Sequence, residues 1–190
     1  MSLPHILLGL LDEPASGYDL KKIFENALRH FWAANLSQIY PTLKSLEEKG
    51  WLEVSEAPSE KGPSRRVYRR TTSGTDVLTE WLGGGPEIGT ERLTWVAQVF
   101  MLSAVDEPLR QLQFMNKLRD AMVERLAALE SAEAHWKSAD PRYPDNLPDK
   151  AFYRHLTLRL GLSRMAGNLR WCEECIGRIE KRRVATEQGN

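Results

Sequence analysis

The chain has 190 residues, of which 42% are hydrophobic and 27% are charged, as is typical of a globular rather than a disordered or fibrous protein. Its formal net charge is zero, so the total charge favours neither a nucleic-acid nor a membrane partner. Two cysteines are too few for a disulfide scaffold. The apolar run at 6–11 is too short to span a membrane and lacks the features of a signal peptide, so we expect a cytoplasmic protein.

The N-terminal segment predicts two helices joined by a turn. Pro4 is suited to open a first helix over 4–11. Ser16 lies in a turn at 14–17 and is suited to cap a second helix that reaches about His30.

A third, amphipathic helix follows. Its apolar residues recur at spacings of three and four and predict one buried face: Leu36, Ile39, Leu43 and Leu46. Pro41 indicates that the helix begins only a few residues earlier, because a missing N–H is tolerated best near a helix start. Gly50 is suited to end it.

A β-hairpin and a fourth helix come next. Residues 51–55 predict a strand, 57–64 the hairpin tip, and 65–70 a returning strand with Val67 as its clearest inward residue. Thr72 is the predicted cap of the fourth helix. The apolar residues of that helix are Val77, Leu78, Trp81 and Leu82.

The run Gly83-Gly84-Gly85-Pro86 is the clearest linker in the chain. We therefore expect an N-terminal domain over 1–82, a linker over 83–89, a helical domain over 90–183 and a tail over 184–190. In the helical domain one helix covers 93–101, and a longer one begins at Pro108 and ends before Asp140.

The last helix has the most regular apolar pattern. Spacings of four and three alternate without a break along Leu158, Leu162, Met165, Leu169, Cys172, Ile176 and Ile179. Such a seam is typical of a coiled-coil-like contact with another helix, in the same chain or in a second copy. We interpret these residues as dimerising, while packing against the helix that begins at Pro108 remains an alternative.

The cations of the N-terminal domain are clustered. Residues 1–82 contain ten Lys and Arg and eleven Asp and Glu, a formal charge of −1. Five of the cations nevertheless fall within ten residues: Lys61, Arg65, Arg66, Arg69 and Arg70. Because affinity for DNA depends on where cations meet phosphates, this local patch beside a polar helix face favours a winged helix-turn-helix that binds DNA.

The sequence resembles the PadR family of bacterial transcriptional regulators over nearly its whole length. The matching strings are LLGLL near the start, SGYDL at 16–20, SQIYPTLKSLEEKG at 37–50, GPSRRVY at 62–68, the TTSG turn with its helix ending in EWL, and LRLGL and RWCEE in the last helix. The sequence departs from the family at Arg70, where an apolar residue is common, and at Cys175. The resemblance implies a mainly α fold, with an N-terminal winged helix-turn-helix, a small β-hairpin wing and an all-helical C-terminal dimerisation domain. It also implies a homodimer that binds an inverted-repeat operator, usually as a repressor, and that a small molecule or stress signal releases.

The predicted DNA-binding residues lie on the third helix and the wing. They are Ser37, Gln38, Tyr40, Pro41, Lys44, Lys61, Arg65 and Arg66. The polar groups of the helix suit base edges and phosphates, although the Tyr40 phenol could equally brace the second helix. Along the wing strand Arg65 and Arg69 share one face and Arg66 the other, so only one face can line the DNA surface. Surface salt bridges to glutamates of the wing are the alternative for these cations.

Other motifs favour structure over chemistry. We interpret Cys172 and Cys175 as core residues, since a single C-x2-C within a helix and beside acidic residues suits neither zinc nor a reactive thiol. An effector pocket between subunits is predicted from Trp95, Phe100, Met101 and Trp136, for which plain core packing is the alternative. No catalytic motif, cofactor site or metal site is recognised. Two alternatives remain open: an interaction module that no longer binds DNA, and a thiol redox sensor.

Overall fold

The structure is a computed structural model that describes residues 2–59, 62–89 and 91–188. The chain divides into two compact units, Met1–Thr90 and Glu91–Asn190. The first contains α1 (Leu3–Leu10), β1 (Ala15–Ser16), α2 (Gly17–Ile23) with a π-helical extension (Phe24–Leu28), α3 (Leu36–Glu48), β2 (Leu52–Ser59), β3 (Gly62–Arg70) and α4 (Thr72–Gly83). The second contains α5 (Thr94–Phe100), a 3₁₀ turn (Leu102–Ala104), α6 (Pro108–Ala139) and α7 (Asp149–Gln188). Within the described residues, no helix combines the length and apolar character needed to cross a bilayer.

The three strands form one antiparallel sheet in the order β1-β3-β2. The short β1 lies in the predicted turn at 14–17 and pairs Ala15 with Tyr68 and Ser16 with Val67. β3 is therefore the central strand of the sheet. Val67 is 9% exposed and buried as predicted, but the β3 residue that packs in the core cluster is Tyr68, 3% exposed and on the opposite face of the strand.

The wing strands extend further than predicted. β2 continues to Ser59 and β3 begins at Gly62, so the predicted tip over 57–64 was too wide. The pairing register shifts between Ala57 and Ser59. Pro58 lies at that shift, where its missing N–H removes no regular ladder hydrogen bond.

Both ends of α3 are capped. Asn35 Oδ1 accepts from the Gln38 N–H at 3.2 Å, and the Asn35 N–H donates to Gln38 Oε1 at 3.2 Å, which completes a capping box. This box starts the helix at Leu36, a few residues before Pro41 as predicted, so Pro41 lies in the second turn. At the other end Gly50 has φ +71°, and the Trp51 and Gly50 N–H groups return to the Leu46 and Glu47 carbonyls. This Schellman arrangement confirms the predicted stop at Gly50.

The predicted inner face of α3 forms part of the core of the first unit. Ile39, Leu43 and Leu46 are at most 1% exposed. They pack with buried residues from α1, α2 with its extension, β2 and β3: Leu7, Leu8, Leu11, Leu20, Phe24, Leu28, Leu52 and Tyr68. This packing fixes which side of α3 faces outwards.

The fourth helix is capped one residue earlier than predicted. Thr71 Oγ1 accepts from the Gly74 N–H at 3.1 Å, so Thr71 is the cap and Thr72 the first helical residue. A Cβ on Gly74 would lie 2.3 Å from the Trp51 carbonyl oxygen, so the start of α4 lies very close to the start of β2.

The second unit is built on α6 and α7, which pack as a helical hairpin. The predicted bounds of α6, after a proline start and before Asp140, agree with the structure. Near the open end of the hairpin Leu112, Met115 and Ile176 form a buried cluster. Near the turn Glu133 accepts hydrogen bonds from Tyr143 Oη at 2.9 Å, Arg159 Nη1 at 3.0 Å and Lys137 Nζ at 3.1 Å. The Tyr143 hydrogen bond is the largest cause of a Glu133 pKa lowered to about 2.

Candidate nucleic-acid interface

The outward side of α3 carries the residues predicted to touch DNA. Ser37, Gln38, Tyr40, Pro41 and Lys44 are all exposed. The core packing of the opposite side holds this face outwards.

The capping box determines which hydrogen-bonding groups at the start of α3 remain available to DNA. Ser37 Oγ donates to Asn35 Oδ1 at 2.5 Å, and Gln38 Oε1 is occupied by the Asn35 N–H. The Gln38 side-chain amide therefore presents its NH₂ group, a double donor that matches acceptors on base edges. Asn35 was not among the predicted site residues, although the Asn-x-x-Gln spacing could have indicated this cap.

Lys44 is the single basic residue within α3. Its side chain is 75% exposed, and Nζ lies 3.8 Å from Glu48 Oε1, one turn further along the helix. An exposed pair at this distance contributes little to stability, so the ammonium group is available to a phosphate.

The two described wing arginines of the predicted site each have an acidic partner. Arg66 Nη2 lies 2.7 and 2.8 Å from the two carboxylate oxygens of Glu47, at the end of α3. Arg65 Nη1 lies 3.6 Å from Asp19 Oδ2 on α2. Both arginines therefore form salt bridges, as the alternative interpretation predicted. Their carboxylate partners lie on α2 and α3, however, and not on the wing strands. Lys61, the third predicted wing cation, lies outside the described residues.

Asp19 connects the wing arginine to the cap of α2. Its Oδ2 accepts from Ser16 Oγ at 2.7 Å and from the Ser16 N–H at 3.0 Å. In return Ser16 Oγ accepts from the Asp19 N–H at 3.2 Å, which confirms Ser16 as the predicted cap. The side-chain hydrogen bond from Ser16 is the first cause of a lowered Asp19 pKa, and Arg65 also lowers it. Asp19 therefore remains a carboxylate opposite Arg65 at neutral pH.

The Arg70 guanidinium forms hydrogen bonds within the first unit. Its Nη1 donates to the Leu8 carbonyl at 2.8 Å and its Nε to Thr75 Oγ1 at 3.0 Å. Leu8 lies in the last turn of α1, where carbonyls lack a donor within the helix, so Arg70 supplies one. These contacts account for an arginine at a position where the resemblance led us to expect an apolar residue.

The predicted dimerisation residues are largely covered within one chain. Leu158, Leu162, Cys172 and Ile176 are at most 9% exposed. For these four the structure provides the intramolecular packing that the sequence left as an alternative. The remaining three are only partly buried: Met165, Leu169 and Ile179.

The predicted effector residues do not converge within the chain. The Trp95 ring lies 5.5 Å from that of Trp171, whereas Trp136 lies 6.2 Å from His155 near the α6–α7 turn. Phe100 is 86% exposed and Met101 is 63% exposed. One chain therefore forms no common pocket from these four side chains.

The two thiols have the properties expected of packing residues. Cys172 is fully buried, and Cys175 is partly buried. Burial is the main cause that raises the pKa of both thiols, with the neighbouring glutamates adding to it. Neither cysteine has the lowered pKa that marks a reactive thiolate.

Comparison with known proteins agrees with this architecture. Residues 6–80 match the Transcriptional regulator PadR-like family, and residues 92–180 match the Virulence activator alpha C-term family. The chain is 28% identical to the Negative transcriptional regulator PadR of Bacillus subtilis over 185 residues, covering 94% of this chain and 98% of the relative. It is 40% identical to the transcriptional regulator Rv3488 of Mycobacterium tuberculosis over 76 residues, covering 40% of this chain and 67% of the relative.

Solved structures extend the likeness to the fold. The crystal structure of Bacillus subtilis PadR in complex with operator DNA matches with a TM-score of 0.82 and 25% identity, over 93% of this chain and 97% of that chain. The same protein in complex with p-coumaric acid matches with a TM-score of 0.71 and 26% identity, over 94% and 95%.

A three-stranded sheet, an exposed polar third helix and a basic wing define the class of winged helix-turn-helix DNA-binding regulators. The chain belongs to the PadR family of transcriptional regulators. Its family and its structural neighbours are regulators and not enzymes.

Proposed function

We propose that this protein is a repressor that binds an inverted-repeat operator as a homodimer and is released by a small molecule or stress signal. The observation that carries the proposal is the exposed polar face of α3, on a fold that matches a relative bound to operator DNA. Repression is supported by the description of the Bacillus subtilis relative as a negative regulator.

In this proposal residues 1–82 bind DNA and α3 enters the major groove. Gln38 contacts base edges, Ser37 and Tyr40 contact bases or phosphates, and Lys44 contacts the backbone. The wing cations contact flanking phosphates once they leave their acidic partners. Two copies related by a two-fold axis would present their α3 helices about 34–36 Å apart, one helical turn of DNA.

The proposed dimer forms through residues 90–183. Because four residues of the α7 seam are already covered within one chain, a second copy must use surface that remains exposed. Met165, Leu169 and Ile179 retain part of theirs. Tyr153, Leu156 and Leu160 lie at spacings of three and four on α7 and are 67%, 47% and 53% exposed. These apolar groups support a contact with a second copy along α7.

An effector site between two subunits is consistent with the separation of Trp95 and Trp136 within one chain. The Bacillus subtilis relative has been crystallised with p-coumaric acid, which supports a small aromatic acid as the first class of effector to test.

Binding of the full-length protein to sheared genomic DNA tests the proposal. We expect selection of a fragment with an inverted repeat, retardation of that fragment at one dimer per site, and an affinity that falls steeply with salt. Absence of retardation on every fragment at low salt would instead favour the interaction module that no longer binds DNA.

A further inference from the structure

Tyr40 is packed sideways against the start of α2. A Cβ built on Gly17 would lie 2.6 Å from Tyr40 Cε1, 2.7 Å from Cζ and 3.0 Å from Oη. Gly17 itself is buried, whereas Tyr40 is 47% exposed. The tyrosine ring thus occupies the space that any side chain at position 17 would fill.

No backbone requirement explains the glycine. Gly17 is the first residue of α2 and does not have a positive φ. Alanine has a higher helix propensity than glycine, so an L-residue would suit the backbone at this position. The first obstacle to a side chain is the Tyr40 ring, to which the three nearest heavy atoms all belong.

The conflict would be resolved by movement of Tyr40 and not of the fold. The atoms that a Cβ would meet are the far end of a half-exposed side chain, which can rotate into solvent. A side chain at position 17 would therefore displace the phenol while leaving the capping box of α2 and the core unchanged.

The position of the ring decides which part of DNA its hydroxyl can reach. Gln38, near the capped start of α3, presents donors suited to base edges, whereas the Tyr40 phenol is held at the side of α3 beside α2. Tyrosine hydroxyls are common donors to phosphate oxygens, and such contacts fix orientation without reading sequence.

We propose that Gly17 is a positioning residue of the DNA interface: it seats the Tyr40 ring against α2 so that the phenol hydroxyl donates to a backbone phosphate. This inference rests on the proposed DNA-binding function. The sequence left two roles open for Tyr40, packing against α2 and contact with DNA. In this geometry both hold, because the ring packs against α2 while the hydroxyl group binds the phosphate.

The experiment compares Gly17→Ala, Tyr40→Phe and the double variant, as full-length proteins. Each is titrated against a duplex selected by the wild type and against a scrambled duplex of equal length, and thermal unfolding is measured in parallel. We expect Gly17→Ala to keep or raise Tm, and to weaken binding to both duplexes by a similar factor of about fivefold to tenfold, the loss of one charge-assisted hydrogen bond. The double variant should bind no more weakly than Tyr40→Phe.

Gly9→Ala is the matched control. Gly9 lies within α1, and a Cβ there would meet nothing within 4 Å, so this variant should bind DNA like the wild type. Wild-type affinity in Gly17→Ala would overturn the inference, as would losses that add in the double variant. A changed ratio between the two duplexes would assign Tyr40 to a base edge and overturn the phosphate contact. Failure of the wild type itself to bind DNA would instead remove the proposed function on which the inference rests.

Discussion

The third helix and the wing, the two parts of the proposed DNA interface, differ in how firmly their cations are paired. On α3, backbone caps and a buried face leave Lys44 exposed, with only a distant acidic neighbour. On the wing, Glu47 holds Arg66 through two hydrogen bonds, whereas Arg65 has only an exposed contact of 3.6 Å with Asp19. In the proposed interface a phosphate would engage Lys44 or Arg65 at little cost, but it would have to replace a carboxylate at Arg66.

The largest expected effect belongs to Gln38, because it is placed to read bases. Gln38→Ala should lower the preference for the selected duplex over a scrambled one by about fivefold to tenfold, because it removes the amide donors offered to base edges. Competition binding at fixed salt measures this ratio. An unchanged ratio with lower affinity would place Gln38 on the phosphate backbone.

Lys44 and Arg66 provide the direct comparison between helix and wing. Lys44→Ala should weaken binding to all sequences and reduce the salt slope by about one, as one phosphate contact predicts. Arg66→Ala should act in the same direction by a smaller factor, because Arg66 must leave the Glu47 carboxylate before it binds. Titrations over a series of salt concentrations measure both slopes. A larger loss for Arg66→Ala would reverse the ranking of the two surfaces.

A substitution of Glu47, the carboxylate partner of Arg66, tests the same comparison. Glu47→Gln removes the charge that holds Arg66, so we expect a several-fold gain in affinity for scrambled DNA and a steeper salt dependence. Glu80→Gln, at an exposed glutamate of α4, is the control. Equal gains from the two variants would indicate a general loss of repulsion and not the release of Arg66.

The smallest effect concerns pH and Asp19. Because its pKa in the folded protein is lowered, its charged form stabilises the fold above the unfolded pKa, and this stabilisation is lost as pH falls through the folded pKa. Asp19→Asn should therefore unfold at a lower Tm than the wild type at pH 7, with a gap that closes in acid. Thermal unfolding between pH 7 and pH 3 measures it, and a constant gap would exclude titration of Asp19 as the cause.

Local signals predicted much of the first unit. Apolar spacing identified the buried side of α3, while Ser16 and Gly50 marked two helix termini through backbone chemistry that needs only neighbouring residues. Element type and termini follow from such signals because their hydrogen bonds span few residues.

Features that depend on distant partners could not be predicted in this way. The strand at Ala15–Ser16 exists only because β3 lies beside it, and Arg70 is placed by a carbonyl on α1. The apolar seam of α7 likewise predicts a helical partner without saying which chain supplies it. Gly17 and Tyr40 lie on two different helices and meet where these helices pack together. The apolar spacing within each helix does not predict where the two helices meet.

Arg70 gives the first unit a mechanical property. Its backbone N–H donates to the Leu11 carbonyl at 2.7 Å and its guanidinium to the Leu8 carbonyl, so the root of the wing is fastened at two points to the end of α1. The end of α1 and the root of the wing are therefore expected to move together. Since α1 also shares one core with α3, a force applied at the first helix would reach the wing and α3 as one body.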